Sequence, residues 1–302
     1  MHFPVSGVDV FPLIPPLVTF LISLFTTSAG VSGAFLLLPF QMSVLGFVSP
    51  AVTPTNLIYN IVAIPGGTYR YFREGRMAWP LALVMIGGLV PGAFAGAVVR
   101  IRYLPDPQAI KLFVGCVLLY LGIRLLLDCF RRPRATNSAP DWRSALPGQA
   151  IVRTTKLSWT RIEYDFHNQV YGFNPLTLLG LSLVIGVVGG IYGIGGGAVL
   201  APFLVAILKL PVYTIAGAAL FSTLVSSIAG ATSFELLALT PLAAGAPVRP
   251  DWLLGALFGV GGLFGTYFGA RLQKHLPERA IRALLGFLVT FVATRYIWQF
   301  FA

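Results

Sequence analysis

The sequence predicts an all-α polytopic membrane protein built from two homologous, inverted repeats of four to five membrane segments. Apolar residues fill 56% of the 302 positions and charged residues only 10%, whereas soluble domains carry about 25% charged residues. Eight apolar runs have the roughly 20 residues that a membrane helix needs. They cover positions 13–47, 50–72, 79–99, 108–130, 175–209, 212–240, 250–270 and 278–301. These observations favour a multi-pass membrane protein.

The first and fifth runs are too long for one helix, and each contains a glycine-rich break. A helix of about 35 residues would be roughly 52 Å long, against a membrane core of roughly 30 Å. Glycine also weakens a helix interior. The breaks contain Gly30, Ser32, Gly33, Gly193, Gly195, Gly196 and Gly197. Each repeat is therefore predicted to begin with a glycine-broken helix.

The two breaks belong to an internal duplication. Positions 30–40 align without a gap to positions 193–203, which lie 163 positions later. Further matches continue to the end of each half. They divide the chain into an N-terminal membrane repeat at 1–130, a basic polar connector at 131–174 and a C-terminal membrane repeat at 175–302.

Two glycine stripes with four-residue spacing occupy matching places in the two halves. They are Gly88, Gly92 and Gly96, and Gly261, Gly265 and Gly269. Small residues at this spacing let two membrane helices approach closely. The stripes predict helix packing, either within the chain or between two chains of a homodimer.

The distribution of Lys and Arg bears on the topology, because cytoplasmic loops of membrane proteins are enriched in these residues. If the halves were parallel, with four crossings each, eleven of the basic residues would be inside and eight outside. If each long run crosses and returns, the halves are inverted and the split becomes fifteen to four. The inverted plan is favoured, with the connector cytoplasmic and both termini outside. Because the connector is basic and also contains Trp142 and Trp159, it could lie on an anionic membrane surface, but a solvated cytoplasmic loop is favoured for most of it.

A helix that starts after a break presents free N–H groups and a positive dipole end, which together bind anions. Polar side chains inside the other runs could complete such a site. The predicted substrate-binding residues are Gly30, Ser32, Gly33, Thr55, Asn56, Gly193, Gly195, Gly196, Gly197, Ser222 and Thr223. The alternative is that the glycines only pack helices and that the polar side chains only bond between helices.

Other classes of function find less support in the sequence. The net charge is +11, and the Lys and Arg residues lie mainly between the apolar runs. This placement indicates positively charged loops rather than nucleic-acid binding. Metalloprotease and phosphate-loop motifs are missing, so neither an enzyme nor a metal or cofactor is expected. Glu235 is the one acidic residue well inside an apolar run, and it is a candidate for carrying a coupling proton.

The repeated element Gly-[Ile/Val]-[Gly/Ser]-Gly-[Gly/Ala]-x-x-x-x-Pro-Phe, at 193–203 and 30–40, resembles the TauE/SafE sulfite-exporter family. The resemblance covers about 13 to 301. It implies a permease of the bacterial inner membrane for sulfite, organosulfonates or related small anions, with the lipid bilayer and the anion as partners. A channel-like or structural membrane protein, or a cation carrier that uses Glu235, remain as alternatives.

Overall fold

The computed structural model describes residues 1–28, 32–73, 77–130, 152–158, 160–166, 169–206, 208, 210, 212–243, 245–272 and 278–301. Most of these residues are helical. The helices are α1 Ile14–Ser28, α2 Ala34–Ser43, α3 Val52–Ala63, α4 Pro65–Arg73, α5 Trp79–Arg102, α6 Pro107–Phe130, α7 Pro175–Tyr192, α8 Gly197–Ala206, α9 Val212–Leu237, α10 Trp252–Leu272 and α11 Glu278–Phe301. The strands are β1 His2–Phe3, β2 Val8–Asp9, β3 Arg153–Lys156, β4 Ile162–Phe166 and β5 Gln169–Phe173.

Six helices in the described ranges are long and apolar enough to cross a membrane. Their apolar spans are Trp79–Arg102, Pro107–Leu127, Pro175–Tyr192, Thr214–Leu237, Trp252–Gly269 and Ala283–Phe301. Two shorter apolar helices cover Ile14–Thr27 and Ala34–Ser43. The prediction of a mostly helical, multi-pass membrane protein is therefore confirmed.

Short polar residues fix the starts of several of these helices. The Asn174 side chain accepts hydrogen bonds from the backbone N–H groups of Leu176 and Thr177, and Pro175 occupies the first helical position of α7. Asp106 caps α6 in the same way. Such caps satisfy N–H groups that have no partner inside the helix. The sequence therefore sets these helix starts locally.

The apolar run at 50–72 does not form the single spanning helix that the sequence predicts. Helix α3 ends at Ala63, and α4 begins at Pro65. Proline has no N–H to donate and restricts the residue before it, so a helix tends to end there. With 12 residues, α3 is only about 18 Å long.

The connector contains a sheet that the sequence analysis did not predict. Strands β3, β4 and β5 form an antiparallel sheet in that order. Every second residue of β4 is buried, namely Ile162, Tyr164 and Phe166. The Tyr164 hydroxyl lies 2.7 Å from the Thr214 hydroxyl in the first turn of α9. This hydrogen bond joins the sheet to a membrane helix.

The described structure separates into two compact units that do not coincide with the two halves of the sequence. Unit 1 comprises Met1–Ala63, Val98–Arg134 and Ala231–Ala302, and unit 2 comprises Ile64–Ala97 and Ala135–Gly230. Unit 1 thus contains α1, α2, α3, α6, α10 and α11. Unit 2 contains α4, α7, α8, the three-stranded sheet, and most of α5 and α9.

In unit 1, the stripe of α10 packs against the backbone of α1. A Cβ on Gly261, Gly265 or Gly269 would overlap or closely approach the carbonyl oxygens of Pro16, Phe20 and Leu24, respectively. Both sets of positions advance together along the chain, so α1 and α10 run in the same direction. The two helices can approach this closely because glycine has no side chain at these three positions.

Two further helix pairs complete the core of unit 1. Gly255 of α10 faces Ile58 of α3, and Gly259 faces Val62, so α3 and α10 also run in the same direction. Gly115 of α6 faces Ile297 of α11, whereas Gly122 faces Thr290. As positions rise in α6 they fall in α11, and these two helices are antiparallel.

In unit 2, the stripe of α5 packs against α7 in the same manner. A Cβ on Gly88 would lie 2.5 Å from the Leu179 carbonyl oxygen, and one on Gly92 would lie 2.5 Å from that of Leu183. Gly96 faces the Val187 carbonyl. Both stripes therefore make close helix contacts within one chain, as their spacing predicts.

Candidate functional site

The break in unit 2 separates α7 from α8. Helix α7 ends at Tyr192, and Gly193 follows in the left-handed conformation with φ 89° while its N–H donates to the Gly189 carbonyl at 2.7 Å. Gly195 and Gly196 also have positive φ values, 75° and 71°. Residues with a Cβ rarely adopt this conformation. The path of the chain between the helices therefore requires glycine.

Hydroxyl groups of α9 surround this break. The Ser226 hydroxyl donates to the Gly195 carbonyl oxygen. A Cβ on Gly195 would overlap the Ser227 Oγ and lie 2.8 Å from the Thr223 Cγ2. A Cβ on Gly197 would meet the Ala219 carbonyl and the Thr223 hydroxyl. Glycine at both positions lets the start of α8 lie directly on α9.

Ser227 differs from its neighbours Ser222 and Thr223 because its hydroxyl makes no hydrogen bond to the described residues. Ser222 donates to the Ala218 carbonyl at 2.5 Å, and Thr223 donates to the Ala219 carbonyl at 2.7 Å. The Ser227 side chain is fully buried, yet its Oγ has no hydrogen-bond partner in the part of the chain that the structure describes. A buried hydroxyl without a partner is costly, so Ser227 is available to a ligand.

The break in unit 1 lies between α1 and α2. Gly30 falls outside the described residues. The Ser32 hydroxyl accepts from the N–H of Ala34, the first residue of α2, at 3.3 Å. A Cβ on Gly33 would lie 2.5 Å from the Tyr59 hydroxyl and 2.9 Å from the Ser23 hydroxyl, two groups that are 2.8 Å apart. Gly33 thus permits a close contact between α2 and the Ser23–Tyr59 pair.

Three buried amides, Gln41, Asn56 and Asn60, form what we name the amide cluster of unit 1. The Gln41 Nε2 donates to the Asn56 Oδ1 at 3.3 Å, and the Asn56 Nδ2 donates to the Ala34 carbonyl at 3.0 Å. Asn60 lies one turn after Asn56 on α3. Its Oδ1 and Nδ2 and the Gln41 Oε1 lack hydrogen-bond partners among the described residues. The cluster therefore offers both donors and acceptors to a polar ligand.

Thr55 and Glu235, two other predicted residues, are bound to protein groups in unit 1. The Thr55 hydroxyl donates to the Ala51 carbonyl at 2.7 Å and accepts from the Asp251 N–H at 2.9 Å. This arrangement uses its single proton. The Glu235 carboxylate accepts from the Trp252 indole at 2.8 Å and lies 3.6 Å from the Arg249 Nε.

Some of the predicted residues belong to unit 1 and the others to unit 2. Gly195, Gly197 and Thr223 meet in unit 2, and the start of α2 meets Asn56 in unit 1. The expectation that one anion contacts both breaks stays a prediction. Sequence reasoning missed Ser227 and Gln41. The spacing of Thr223 and Ser227, one helical turn apart, is the signal that could have revealed Ser227.

The described chain contains six membrane-length helices and, beside them, interrupted helices with buried, uncharged polar groups. These features define a multi-pass membrane protein whose polar centres lie among its helices. Within the described ranges, no group of three or more His, Cys, Asp and Glu side chains could hold a metal ion. The chain belongs to the sulfite exporter TauE/SafE family, whose model matches residues 16–296.

Three curated proteins illustrate the similarity. A probable membrane transporter protein, YunE, of Bacillus subtilis (strain 168) is 21% identical over 279 residues, covering 89% of this chain and 91% of that protein. Two probable membrane transporter proteins of Xylella fastidiosa are 23% identical in strain Temecula1 and 26% in strain 9a5c, and each match covers 90% of both chains. No solved structure matches. The family and the names of these relatives indicate a membrane transporter rather than an enzyme.

Proposed function

We propose that this chain is a secondary transporter of small sulfur-containing oxyanions, such as sulfite or organosulfonates. The family description names sulfite export, and the curated relatives are named as probable membrane transporters. These names support membrane transport, and the chemistry of the polar centres supports an anionic substrate.

The observation that carries the proposal is the start of α8 in unit 2. The helix dipole places a partial positive charge at this start, although the Gly197 N–H donates to the Gly195 carbonyl and the Val199 and Leu200 N–H groups donate to the Gly196 carbonyl. The unused Ser227 hydroxyl lies beside Gly195, just before this helix start. Backbone amides and a hydroxyl are suitable donors for a compact oxyanion. The proposed donors here are the Ser227 hydroxyl and the N–H groups of Gly195 and Gly196; the other predicted residues, Gly193, Gly197, Ser222 and Thr223, flank them and already donate to backbone carbonyls.

Unit 1 supplies a second proposed set of ligand groups. The unpartnered Asn60 Nδ2 is a donor in the amide cluster, and Asn56 holds the cluster against the first residue of α2. Hydrogen bonds from the amide to an oxyanion would satisfy a group that is otherwise buried without a partner. With Asn60 and Gln41, this set comprises Gly30, Ser32, Gly33 and Asn56, whereas Thr55, which precedes Asn56, has given its proton to the Ala51 carbonyl.

We further propose that the two halves are inverted repeats with a broken first helix. Helices α2 and α8 each have 10 residues. They begin at positions 34 and 197, the same separation of 163 that aligns the two sequence elements. Two helices of equal length, with the same separation as the matching sequence elements, support a duplicated helix–break–helix unit.

The helix directions in unit 1 support inversion over the parallel plan. With parallel halves of four crossings, α3 and α10 would be the second and third segments and would run in opposite directions. Helices α6 and α11, as last segments, would run in the same direction. The contacts have the reverse pattern: α3 and α10 run together, and α6 and α11 run oppositely. Inverted halves of five segments each produce both relationships, and inverted repeats are common in known transporter folds.

A flux assay in proteoliposomes tests the function and the unit 2 site together. We expect saturable, substrate-dependent sulfite flux in the wild type and a severalfold loss in Ser227→Ala. Ser182→Ala is the matched control, because Ser182 is also buried with an unpartnered Oγ but lies on α7 against α5.

Each result of this assay has a separate meaning. Flux that does not saturate would favour a channel, and wild-type protein without flux of any sulfur oxyanion would refute the proposed substrate class. Normal flux in Ser227→Ala would leave the transporter but remove the unit 2 site. Equal loss in Ser227→Ala and Ser182→Ala would indicate a structural effect.

A further inference from the structure

We propose that Arg100 and the first turn of α3 form a binding site for one oxyanion group. Arg100 lies in the last turn of α5, within unit 1, and its side chain is 0% exposed. Its Nε donates to the Thr53 hydroxyl at 3.2 Å, and its Nη1 donates to the Leu104 carbonyl oxygen. These two contacts hold the guanidinium at the start of α3.

The third guanidinium nitrogen has no hydrogen-bond acceptor. Nη2 of Arg100 is buried and unpartnered within the described ranges. Taking a charged group out of water costs several kcal/mol unless another group compensates it, and arginine stays protonated under nearly all conditions. We therefore expect an anion to compensate the buried charge of Arg100.

The described carboxylates nearest in the chain or on neighbouring helices of unit 1 are engaged elsewhere. Asp106 accepts from the N–H groups that open α6. Asp251 accepts from Ser6 and caps α10, and Glu235 pairs with Arg249. None of them forms an ion pair with Arg100 in the part of the chain that is described, so the compensating anion must come from outside the described residues.

The end of α3 that Arg100 reaches is suited to an anion. Thr53 is the second residue of this 12-residue helix, and the helix dipole favours negative charge at its start, although the Val52 and Thr53 N–H groups themselves donate to the Ser49 and Pro50 carbonyls. Ser49, whose carbonyl accepts from the Val52 N–H at 3.0 Å, has a buried hydroxyl without a partner in the described structure. The guanidinium Nη2 of Arg100 and the hydroxyl of Ser49 are thus the available donors, beside a helix start with a positive dipole end.

The chemistry points to a sulfonate, sulfite, carboxylate or phosphate oxyanion, because a guanidinium binds such groups through short, charge-assisted hydrogen bonds. The group could belong to a free solute or to the headgroup of an anionic lipid. The proposal is separate from the glycine breaks and holds whether or not the bound anion is transported.

Calorimetric titration of the purified full chain with methanesulfonate and with sulfate tests this site. The protein is placed in nanodiscs of phosphatidylcholine and, separately, of phosphatidylglycerol. We expect Arg100→Gln to weaken binding by roughly tenfold or more, the loss that corresponds to one charged hydrogen bond. Arg102→Gln is the matched control, since Arg102 is exposed on the same helix turn and lies over the Tyr103 ring.

Two further variants keep the test decisive if Arg100→Gln does not fold. Arg100→Lys retains the charge but loses the planar fork, and Thr53→Val removes the acceptor that orients the guanidinium. Either should weaken binding severalfold. Wild-type affinity in both, or in a folded Arg100→Gln protein, would overturn the proposal unless the lipid measurement below shows a difference.

The two lipids distinguish the source of the oxyanion. A free solute is indicated if the probes bind equally in both lipids and Arg100→Gln weakens them. A lipid headgroup is indicated if phosphatidylglycerol blocks the probes and native mass spectrometry detects this lipid retained by the wild type but not by Arg100→Gln. Retention and probe binding that are both unchanged in Arg100→Gln would refute the site.

Discussion

Gly265 of α10 lies against the backbone of Phe20 of α1, so that a Cβ on Gly265 would overlap the Phe20 carbonyl oxygen and lie 3.0 Å from its Cα. Helix α1 comes from the first half of the chain and α10 from the second. Gly92 of α5 and Leu183 of α7 have the same relationship in unit 2. Each unit is therefore built from both halves of the sequence, and neither unit could assemble from one half alone.

Enlarging a stripe glycine should disrupt folding. Gly265→Leu or Gly92→Leu would place a side chain where a neighbouring backbone already lies, and overpacking alone costs about 1–3 kcal/mol. Folded yield and thermal midpoint on size exclusion would report the loss. Gly180→Ala is the control, because a Cβ there meets no atom within 4 Å. A Gly265→Leu protein with normal stability would contradict the packing assignment.

The amide cluster should separate stability from ligand binding. Asn56→Ala removes the partners of Gln41 and of the Ala34 carbonyl, so we expect a stability loss of about 1–3 kcal/mol. Asn60→Leu removes two unpartnered atoms and should keep or raise stability while anion flux falls. Thermal unfolding and flux of the two variants measure both effects. Normal flux in Asn60→Leu would exclude Asn60 as a ligand group.

Glu235 tests the proton-coupling hypothesis. Because its carboxylate already binds Trp252 and an Arg249 that is 57% exposed, we expect Glu235→Gln to retain anion flux and lose at most about 1 kcal/mol of stability. Arg249→Gln, which removes the same ion pair but keeps the carboxylate, is the control. Flux that disappears in Glu235→Gln but persists in Arg249→Gln would favour proton or cation coupling through Glu235.

The inverted topology predicts that both termini are outside and that the connector is cytoplasmic. A phosphatase fusion at the C-terminus should be active, and a fusion of the same enzyme within 131–150 should be inactive. The reasons are the fifteen-to-four distribution of basic residues and the opposite directions of α6 and α11. A cytoplasmic C-terminus would contradict the plan of five segments in each half.

High pH should release the connector sheet from α9. Burial raises the pKa of Tyr164 from 10.0 to about 12, while the hydrogen bond with Thr214 lowers it. Since the folded protein holds the phenol proton more tightly than the unfolded chain, the stabilisation is complete below pH 10 and is lost as the pH rises toward about 12. Limited proteolysis of the connector across this range would show it. Tyr164→Phe should remove this pH dependence; an unchanged profile would assign the transition to another group.

The features that depend on local pattern can be predicted from the sequence. Apolar run length predicted the multi-pass class, and the four-residue spacing of Gly88, Gly92 and Gly96 predicted close packing, because helix periodicity places such residues on one face. The caps at Asn174 and Asp106 are likewise local. The glycine–proline element at 193–203 is sufficient to indicate the family.

Which groups meet depends on how distant segments of the chain pack together. No local pattern indicates that Gly265 packs on Phe20, 245 positions away, or that Arg100 ends buried at Thr53. The connector sheet depends on pairing between strands and on the Tyr164–Thr214 contact, so the charge pattern did not reveal it. Hydrogen-bond satisfaction is also a tertiary property: the Thr55 proton is used by Ala51, whereas among the described residues the neighbouring helices bring no acceptor or donor to Ser227 and Asn60.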